Sequence, residues 1–385
     1  MSILRNLTAI TLMTATAAFA LLGCQKEQGE SQDASSQGKT TTDKVRVGSI
    51  LSLSGTLAGY GELEKRGFDL AVKHINEADG INGSPLDVLY EDSELDPQKA
   101  ISAYRKLTAV DKVPIIVGAI GSSVCLALGP IAARDQVVLM SAGSTSPKLS
   151  GSSPYFFRVA PSDTLGAARL VDWVIEAGHK SIAILYIEND YGAGQKDVAI
   201  KRLAERSLTP AVVEKCTPES SNLRPALERI RSAKPDAVLL LTHAPEAGYF
   251  LKQANEIAYK IPVYGGDALS DPSIVRIAGD AAEGVRFLLP AKGSGPLYDR
   301  YAQAYRAQYN AEPDAVGLKA YSLMFVAAGA LRKASYKGSA LKEYLAAMPD
   351  VPTAMGDISF DKFGDIKEVR FERLEYRSGK AETVR

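Results

Sequence analysis

Short apolar runs alternate with longer amphipathic segments from Val45 to the end of the chain. Val45–Leu51, Val113–Val117 and Ala237–Thr242 are short, apolar and rich in β-branched or aliphatic residues, which is typical of buried strands. Between such runs the apolar residues recur at helical spacing, as they do in Gly61–Ala78. Strands that alternate with helices predict βαβ units and therefore mostly parallel, doubly wound sheets.

The alternation runs through two successive series, with the second beginning at a helix predicted over Thr164–Ala177. A single hydrophobic core stops growing at roughly 250–300 residues, and this chain has 385. We therefore predict an α/β protein with two lobes. The pattern changes near the end, where Ile358–Phe360 and Glu368–Tyr376 flank a turn-rich link and predict a hairpin.

The first 44 residues do not follow this pattern. An early Arg5 precedes an uncharged apolar stretch, which predicts a signal peptide over residues 1–23. The sequence Leu21-Leu22-Gly23-Cys24 resembles the bacterial lipobox, which implies a lipid on Cys24 and a place in the bacterial cell envelope. A buried cysteine in a hydrophobic leader is the alternative. Residues 24–44 contain too few apolar residues to fold, so we predict a tether.

Composition and motifs exclude several kinds of chemistry. The 45 Lys and Arg balance 45 Asp and Glu, so no basic excess favours nucleic acid. The three histidines are scattered, and no zinc-protease, CxxC, nucleophile-elbow or phosphate-loop motif is present. We therefore expect no enzyme activity, metal or cofactor. Cys125 and Cys216 fall in different predicted lobes, so we expect two unpaired, buried thiols.

Small polar residues follow three predicted strands of the first series. The three loops are residues 52–61, 118–123 and 141–147. Parallel sheets bind ligands at the carboxyl ends of their strands, and hydroxyl and N–H groups at a helix N-terminus suit a carboxylate. Helix capping and turn formation are the alternative explanation for each loop. Three such loops in one lobe favour a ligand site.

These loops belong to a longer set of motifs. They are Val47-Gly48, Leu53-Ser54-Gly55, Gly59-Tyr60-Gly61, Gly80-Ile81-Asn82-Gly83, Asp96-Pro97, Ile116-Val117-Gly118, Ser122-Ser123, Asp190-Tyr191-Gly192, Ile277–Gly284 and Phe360-Asp361. With them the chain resembles the leucine/isoleucine/valine-binding proteins, the type I periplasmic receptors of branched-chain amino acid ABC transporters. The resemblance implies two lobes joined by a three-strand hinge. It places 45–162 plus 291–365 in lobe 1 and 163–290 plus 366–385 in lobe 2.

The resemblance also implies a function and a set of site residues. The protein would be a monomeric receptor that captures a small, preferably aliphatic L-amino acid and delivers it to an ABC permease, without chemistry. Ser122 and Thr145 would bind the ligand carboxylate, while the Gly143 carbonyl and Asp267 would receive the ammonium. Tyr191 would close from the second lobe, and Tyr60 would lie against the ligand side chain.

Two departures from the family leave the ligand open. His243 stands where leucine-binding members carry a tyrosine, which makes the pocket wall more polar. Glu94, Leu95 and Gly121 occupy the region of the family's lobe 1 disulfide, which is therefore missing. An amide, a urea or an aromatic carboxylate is the alternative ligand. An envelope sensor or regulator with a protein output is the alternative function.

Overall fold

The computed structural model describes residues 43–367 and 369–384. The predicted signal peptide, the lipidation site Cys24 and nearly all of the predicted tether lie outside the described residues.

The first lobe is built on a five-stranded parallel sheet. Its strand order is β2-β1-β3-β4-β5, which places the reversal of winding between β1 and β3. The strands are β1 (Val45–Leu51), β2 (Leu86–Asp92), β3 (Ile115–Gly118), β4 (Val138–Ser141) and β5 (Phe156–Arg158). Every residue of β3 and β4 is buried, because helices cover both faces of the sheet.

The second lobe is built on a seven-stranded sheet. Its order is β14-β13-β10-β9-β8-β6-β7, and the last two strands along the chain are antiparallel additions. The strands are β6 (Ile182–Ile187), β7 (Val212–Cys216), β8 (Ala237–Leu241), β9 (Val263–Gly265), β10 (Arg286–Pro290), β13 (Phe371–Arg377) and β14 (Lys380–Thr383). The reversal of winding lies between β6 and β8. The predicted α/β architecture is confirmed.

The tail folds back at residues 361–365, where one antiparallel bridge joins Phe360 to Ile366, but the predicted hairpin does not extend into the long strand that follows. Phe371–Arg377 pairs with β10 and β14, so its partners lie in the second sheet rather than at Ile358–Phe360. A separate small hairpin joins β11 (Val351–Thr353) to β12 (Gly356–Ile358). Short-range alternation predicted the strand, but the choice of partner depends on the sheet edge that the second lobe leaves open.

The helices of the described residues follow the predicted alternation. They are α1 (Ala58–Glu77), α2 (Pro97–Arg105), α3 (Ser122–Asp135), α4 (Asp163–Glu176), α5 (Asp190–Glu205), α6 (Arg224–Ser232), α7 (Ala244–Glu256), α8 (Ser273–Ala278), α9 (Pro296–Tyr309), α10 (Ala315–Lys333) and α11 (Gly338–Ala347). Helix α5 begins at Asp190, directly after Asn189. The Asn189 side chain caps the helix by accepting a hydrogen bond from the Gly192 N–H at 3.0 Å.

Helices α1 and α10 pack unusually closely in the first lobe. A Cβ atom on Gly67 would lie 2.2 Å from the Gly317 carbonyl oxygen, so the glycine is required at this crossing. Helix α10 is long and apolar enough to cross a membrane by composition alone, but most of it is buried in the core of the lobe. The close crossing brings residues near Gly67 and Gly317 together.

The chain passes between the lobes three times. It leaves the first sheet after β5, returns after β10 so that α9 to α11 join the first lobe, and leaves again before β13. The carboxyl ends of β3 and β4 in one lobe, and of β6, β8 and β9 in the other, carry loops that face a common cleft. Both reversals of winding border this cleft, as expected for a ligand site in open α/β sheets.

Candidate functional site

A cavity of about 480 Å³ lies between the two lobes. Six of the seven predicted site residues line it, namely Tyr60, Ser122, Gly143, Tyr191, His243 and Asp267. The seventh, Thr145, is buried behind the wall and borders a separate cavity of about 20 Å³ beside Asp267. The fold therefore brings together residues from both lobes, each on a different loop or helix start. Thr145 lies behind the cavity wall and does not line the cavity.

One end of the cavity is formed by the start of α3. The loop before it has positive φ at Gly118 (90°), Ala119 (48°) and Gly121 (97°), which turns the chain sharply from β3 into the helix. No side chain caps the first turn of α3, so its N–H groups stay available to a ligand. The Ser122 hydroxyl accepts a bond from the Ser146 N–H at 3.2 Å and keeps its own proton to donate.

The loop that carries Gly143 is held from outside the cavity by Arg158. This side chain is fully buried and pairs with Asp365 at 2.6 Å. Its guanidinium also donates to the carbonyls of Ser144 (3.2 Å) and Ser146 (2.9 Å). Sequence reasoning did not identify Arg158. Its hydrogen bonds fix the loop, so the neutral end of the cavity is positioned by a buried ion pair that the ligand does not touch.

The opposite end of the cavity is charged. Asp267 begins a 3₁₀ turn directly after β9, and its Oδ2 accepts a bond from the Lys319 ammonium at 3.1 Å. The Lys319 side chain keeps only 4% of its surface exposed. Sequence reasoning missed Lys319, although a lone lysine inside the apolar helix α10 was an available signal.

A second missed residue, Glu64, is fully buried on α1 close to Lys319. Neither of its carboxyl oxygens has a hydrogen-bond partner in the part of the chain that the structure describes. Burial raises the pKa of Glu64 to about 8, against the attraction of Lys319, which lowers it. Glu64 is therefore mostly uncharged at neutral pH. The α1–α10 crossing at Gly67 and Gly317 explains why the two residues are neighbours.

Two further titratable groups of the site, Asp163 and His243, are also shifted towards their neutral forms. Burial and the neighbouring Asp267 carboxylate raise the pKa of Asp163 to about 7. Burial lowers the pKa of His243 to about 4, so its imidazole is neutral at physiological pH. Asp267 is paired with Lys319, and the cavity lining also holds the acidic side chains of Glu94, Asp96, Glu188, Glu219 and Asp271.

His243 and Tyr191 form one aromatic wall in the second lobe. Their rings stack with centroids 5.3 Å apart and planes 22° from parallel. Tyr60 faces them from the first lobe, where a Cβ on Gly143 would lie 3.5 Å from the Tyr60 hydroxyl oxygen. Replacing tyrosine by His243 thus keeps an aromatic surface while it adds two ring nitrogens.

Direct contacts hold the lobes together around the cavity. The Thr56 hydroxyl donates to Glu219 at 2.7 Å, and the Ser123 hydroxyl donates to Asp190 at 2.9 Å. Lys148 pairs with the same Asp190 at 3.0 Å. Because these contacts join opposite rims, the cleft is closed in this structure.

The cysteines have no part in the cavity chemistry. Cys125 on α3 and Cys216 on β7 lie in different lobes, and each is a buried free thiol. Where the family's disulfide is missing, the Leu95 side chain covers Gly121, with Cδ1 2.5 Å from the position of a Cβ there. Among residues 43–367 and 369–384, no cluster of three or more His, Cys, Asp or Glu could hold a metal.

Comparisons with known proteins agree with this geometry. The sequence model of the periplasmic binding protein family matches residues 44–365. A Leu/Ile/Val-binding protein of Rhizobium johnstonii is 26% identical over 340 residues, covering 87% of this chain and 92% of its own. A branched-chain amino acid transporter substrate-binding protein of Streptococcus pneumoniae, solved with isoleucine, has a TM-score of 0.80 at 26% identity, with 89% and 99% coverage.

The same fold also occurs with a different ligand. A solute-binding protein of an ABC transporter from Rhodopseudomonas palustris, solved with benzoate, has a TM-score of 0.81 at 21% identity, covering 89% of this chain and 96% of its own. This family is a class of extracytoplasmic substrate-binding proteins. Since its model matches well over half of the sequence, the chain belongs to the periplasmic binding protein family, as its resemblance to the branched-chain amino acid receptors predicted.

Proposed function

We propose that the protein captures a small L-amino acid, preferably aliphatic or branched, and delivers it to an ABC permease. One observation carries this proposal: a single cavity is lined both by an uncapped helix start with Ser122 and by the Asp267 carboxylate. A zwitterion needs donors at its carboxylate and an acceptor at its ammonium, because a buried charge must be paired. The names of the relatives agree with this ligand class.

The size and walls of the cavity suit such a ligand. Small-molecule pockets hold roughly 300–1,000 Å³, and this one holds about 480 Å³. Leu57, Leu95 and Ile120 contribute apolar surface beside Tyr60. Each buried methylene adds only about 0.8 kcal/mol, so these walls favour an aliphatic side chain without separating leucine sharply from isoleucine or valine.

Closure of the lobes would provide the signal for delivery. A ligand that touches Ser122 in one lobe and Asp267 in the other binds only the closed arrangement fully, so it shifts the population towards closure. The closed rims, with Thr56 against Glu219, would then form one continuous docking face for the permease.

Titration calorimetry of the full chain against the twenty amino acids tests this function. We expect saturable heat for at least one aliphatic amino acid and weak or no heat for charged ones. Silence across all twenty would contradict the amino-acid proposal, while the fold and the family would stand.

A second candidate ligand is a carboxylate without an ammonium group. One specific observation favours it: Asp267 already has a cationic partner in Lys319. Benzoate, the ligand of a protein with the same fold, is the natural probe. Benzoate binding together with silence of all amino acids would replace the first proposal by the second.

We also propose that the protein acts as a monomer anchored by a lipid on Cys24. A Cys24→Ala variant should move from the membrane fraction to the soluble envelope fraction. A variant that stays with the membrane would contradict the anchor.

A further inference from the structure

Lys319 is an unusual residue for its position. It lies on α10, whose neighbouring residues Leu318 and Ala320 belong to the hydrophobic core of the first lobe. Its ammonium is nonetheless paired across the cleft with Asp267 of the second lobe. A buried ion pair stabilises a protein no better than a well-packed apolar pair, so packing alone does not account for a lysine here.

The pairing occupies the acceptor that an amino acid needs. Lys319 bonds the Oδ2 atom of Asp267, and a ligand ammonium would have to share or displace that contact. Two cations on one carboxylate repel each other strongly in a water-poor site. Glu64, the other acid close to Lys319, does not relieve this repulsion at neutral pH, because burial raises its pKa to about 8.

We propose that Lys319 is a specificity-determining residue that competes with the ligand's ammonium for Asp267, and so lowers the preference of the site for amino acids over matched carboxylates without an amine. The proposal rests on the proposed function, because it concerns the same cavity. With Lys319 as the partner of Asp267, a ligand that lacks an ammonium group can also bind beside this aspartate.

The competition has a definite consequence when Lys319 loses its charge. In a Lys319→Met variant the Asp267 carboxylate would remain half-buried without a counter-ion, which is unfavourable. A ligand ammonium would then replace the missing lysine, and a ligand without one would not. The variant should therefore gain affinity for amino acids only.

The experiment compares L-leucine with 4-methyl-2-oxopentanoate, which has the same carbon skeleton and a carbonyl in place of the amine. Both are titrated by calorimetry into the full chain, into Lys319→Met and into Lys148→Met. Lys148 also pairs with an aspartate of the opposite lobe, Asp190 at 3.0 Å, but does not line the cavity, so it is the matched control. We expect the affinity ratio of leucine to the oxo acid to rise at least tenfold in Lys319→Met and to change less than twofold in the control.

The difference between the two ligands in thermal unfolding gives an independent readout that a purely structural role would not move. Lys319→Met should unfold at a lower temperature than the wild type, and L-leucine should restore more of that loss than the oxo acid does. If Lys319→Met does not fold, Lys319→Gln removes the charge while it keeps a donor for Asp267, and its ratio should rise by a smaller factor.

The outcomes separate the two proposals. An unchanged ratio, with either ligand still bound, overturns the role of Lys319 and leaves the proposed function intact. Equal weakening of both ligands also overturns it, because it would show a positioning role only. If neither ligand binds the wild type or the variants, the proposed function falls and the inference falls with it.

Discussion

The two ends of the cavity are built on opposite principles. At the α3 end, hydroxyl and N–H groups face the cavity, and the buried ion pair that holds them, Arg158 with Asp365, lies outside it. At the other end the ion pair of Asp267 with Lys319 reaches the cavity through Asp267, which is part of the wall. The neutral end can receive a carboxylate without changing any charge already present. The charged end can receive an ammonium only by changing the partners of a charge that is already paired.

The largest effect is expected from breaking the ion pair behind the neutral end. Arg158→Ala leaves Asp365 buried without its partner and frees the loop that carries Gly143, so the free energy of unfolding should fall by about 3–5 kcal/mol. Arg134→Ala, which removes an exposed pair with Asp135, should change the free energy of unfolding far less. Urea denaturation of both variants checks this. An equal decrease in the free energy of unfolding in both variants would show that the buried ion pair does not stabilise the protein more than the exposed one.

A shift in pH dependence is expected at the charged end. Unfolded Glu64 ionises near its ordinary pKa of 4.5, whereas folded Glu64 stays protonated up to about pH 8. Unfolding therefore releases a proton in this window, and the stability from Glu64, complete below pH 4.5, is lost as the pH rises towards 8. Between pH 5 and pH 7.5, the free energy of unfolding should therefore fall by roughly 3 kcal/mol less in Glu64→Gln than in the wild type.

The matched control for Glu64 is a residue on the same helix. Glu62→Gln removes a half-exposed carboxylate that pairs with Arg66, so it separates the loss of any carboxylate on α1 from the loss of the buried one. The pKa of Asp163 is raised to about 7, so this residue also makes stability depend on pH. Its effect is the same in Glu64→Gln and Glu62→Gln and cancels when the two variants are compared. Parallel slopes for wild type and Glu64→Gln would contradict a buried, protonated Glu64.

The next prediction concerns the acceptor at the charged end. Asp267→Ala should weaken amino-acid binding about 100-fold, because it removes the acceptor for the ammonium and leaves Lys319 beside it. Benzoate binding should change little. Asp271→Asn, on the same side of the cavity, is the control for a general change in charge. A small effect on amino acids would mean that the ammonium binds elsewhere.

The smallest effect is expected at the neutral end. Ser122→Ala should weaken binding of any carboxylate ligand about tenfold, since one hydroxyl donor is lost while the helix N–H groups remain. Ser123→Ala removes the next hydroxyl, which is already committed to Asp190, and should weaken binding less. Calorimetry with the same ligand measures which of the two variants loses more affinity. The reverse order would move the carboxylate site one residue along α3.

The neutral end was accessible to sequence reasoning because its parts are local. The loops after β3 and β4 carry small polar residues next to clear strand patterns, and Ser122 was predicted at a helix start. Thr145 comes from the second of these loops but lies behind the cavity wall. Its distance from the cavity depends on the path of the 141–147 loop, which the Arg158 side chain fixes from the neighbouring strand β5.

The charged end was only half accessible. The resemblance to the branched-chain amino acid receptors identified Asp267 as a candidate acceptor. Glu64 and Lys319 are 255 residues apart and meet because α1 and α10 touch at two glycines, a contact that no local pattern reveals. The same limit explains the tail, where the strand Phe371–Arg377 was predicted but its pairing with β10 was not.

A crystal structure of the full chain, purified with its endogenous ligand, tests the central claim most directly. The account predicts one small ligand in the cavity between the lobes, with a carboxylate at Ser122 and the start of α3 and an ammonium within hydrogen-bond distance of Asp267. A ligand bound in the opposite orientation, or a ligand with no group near Asp267 and Ser122, would contradict it.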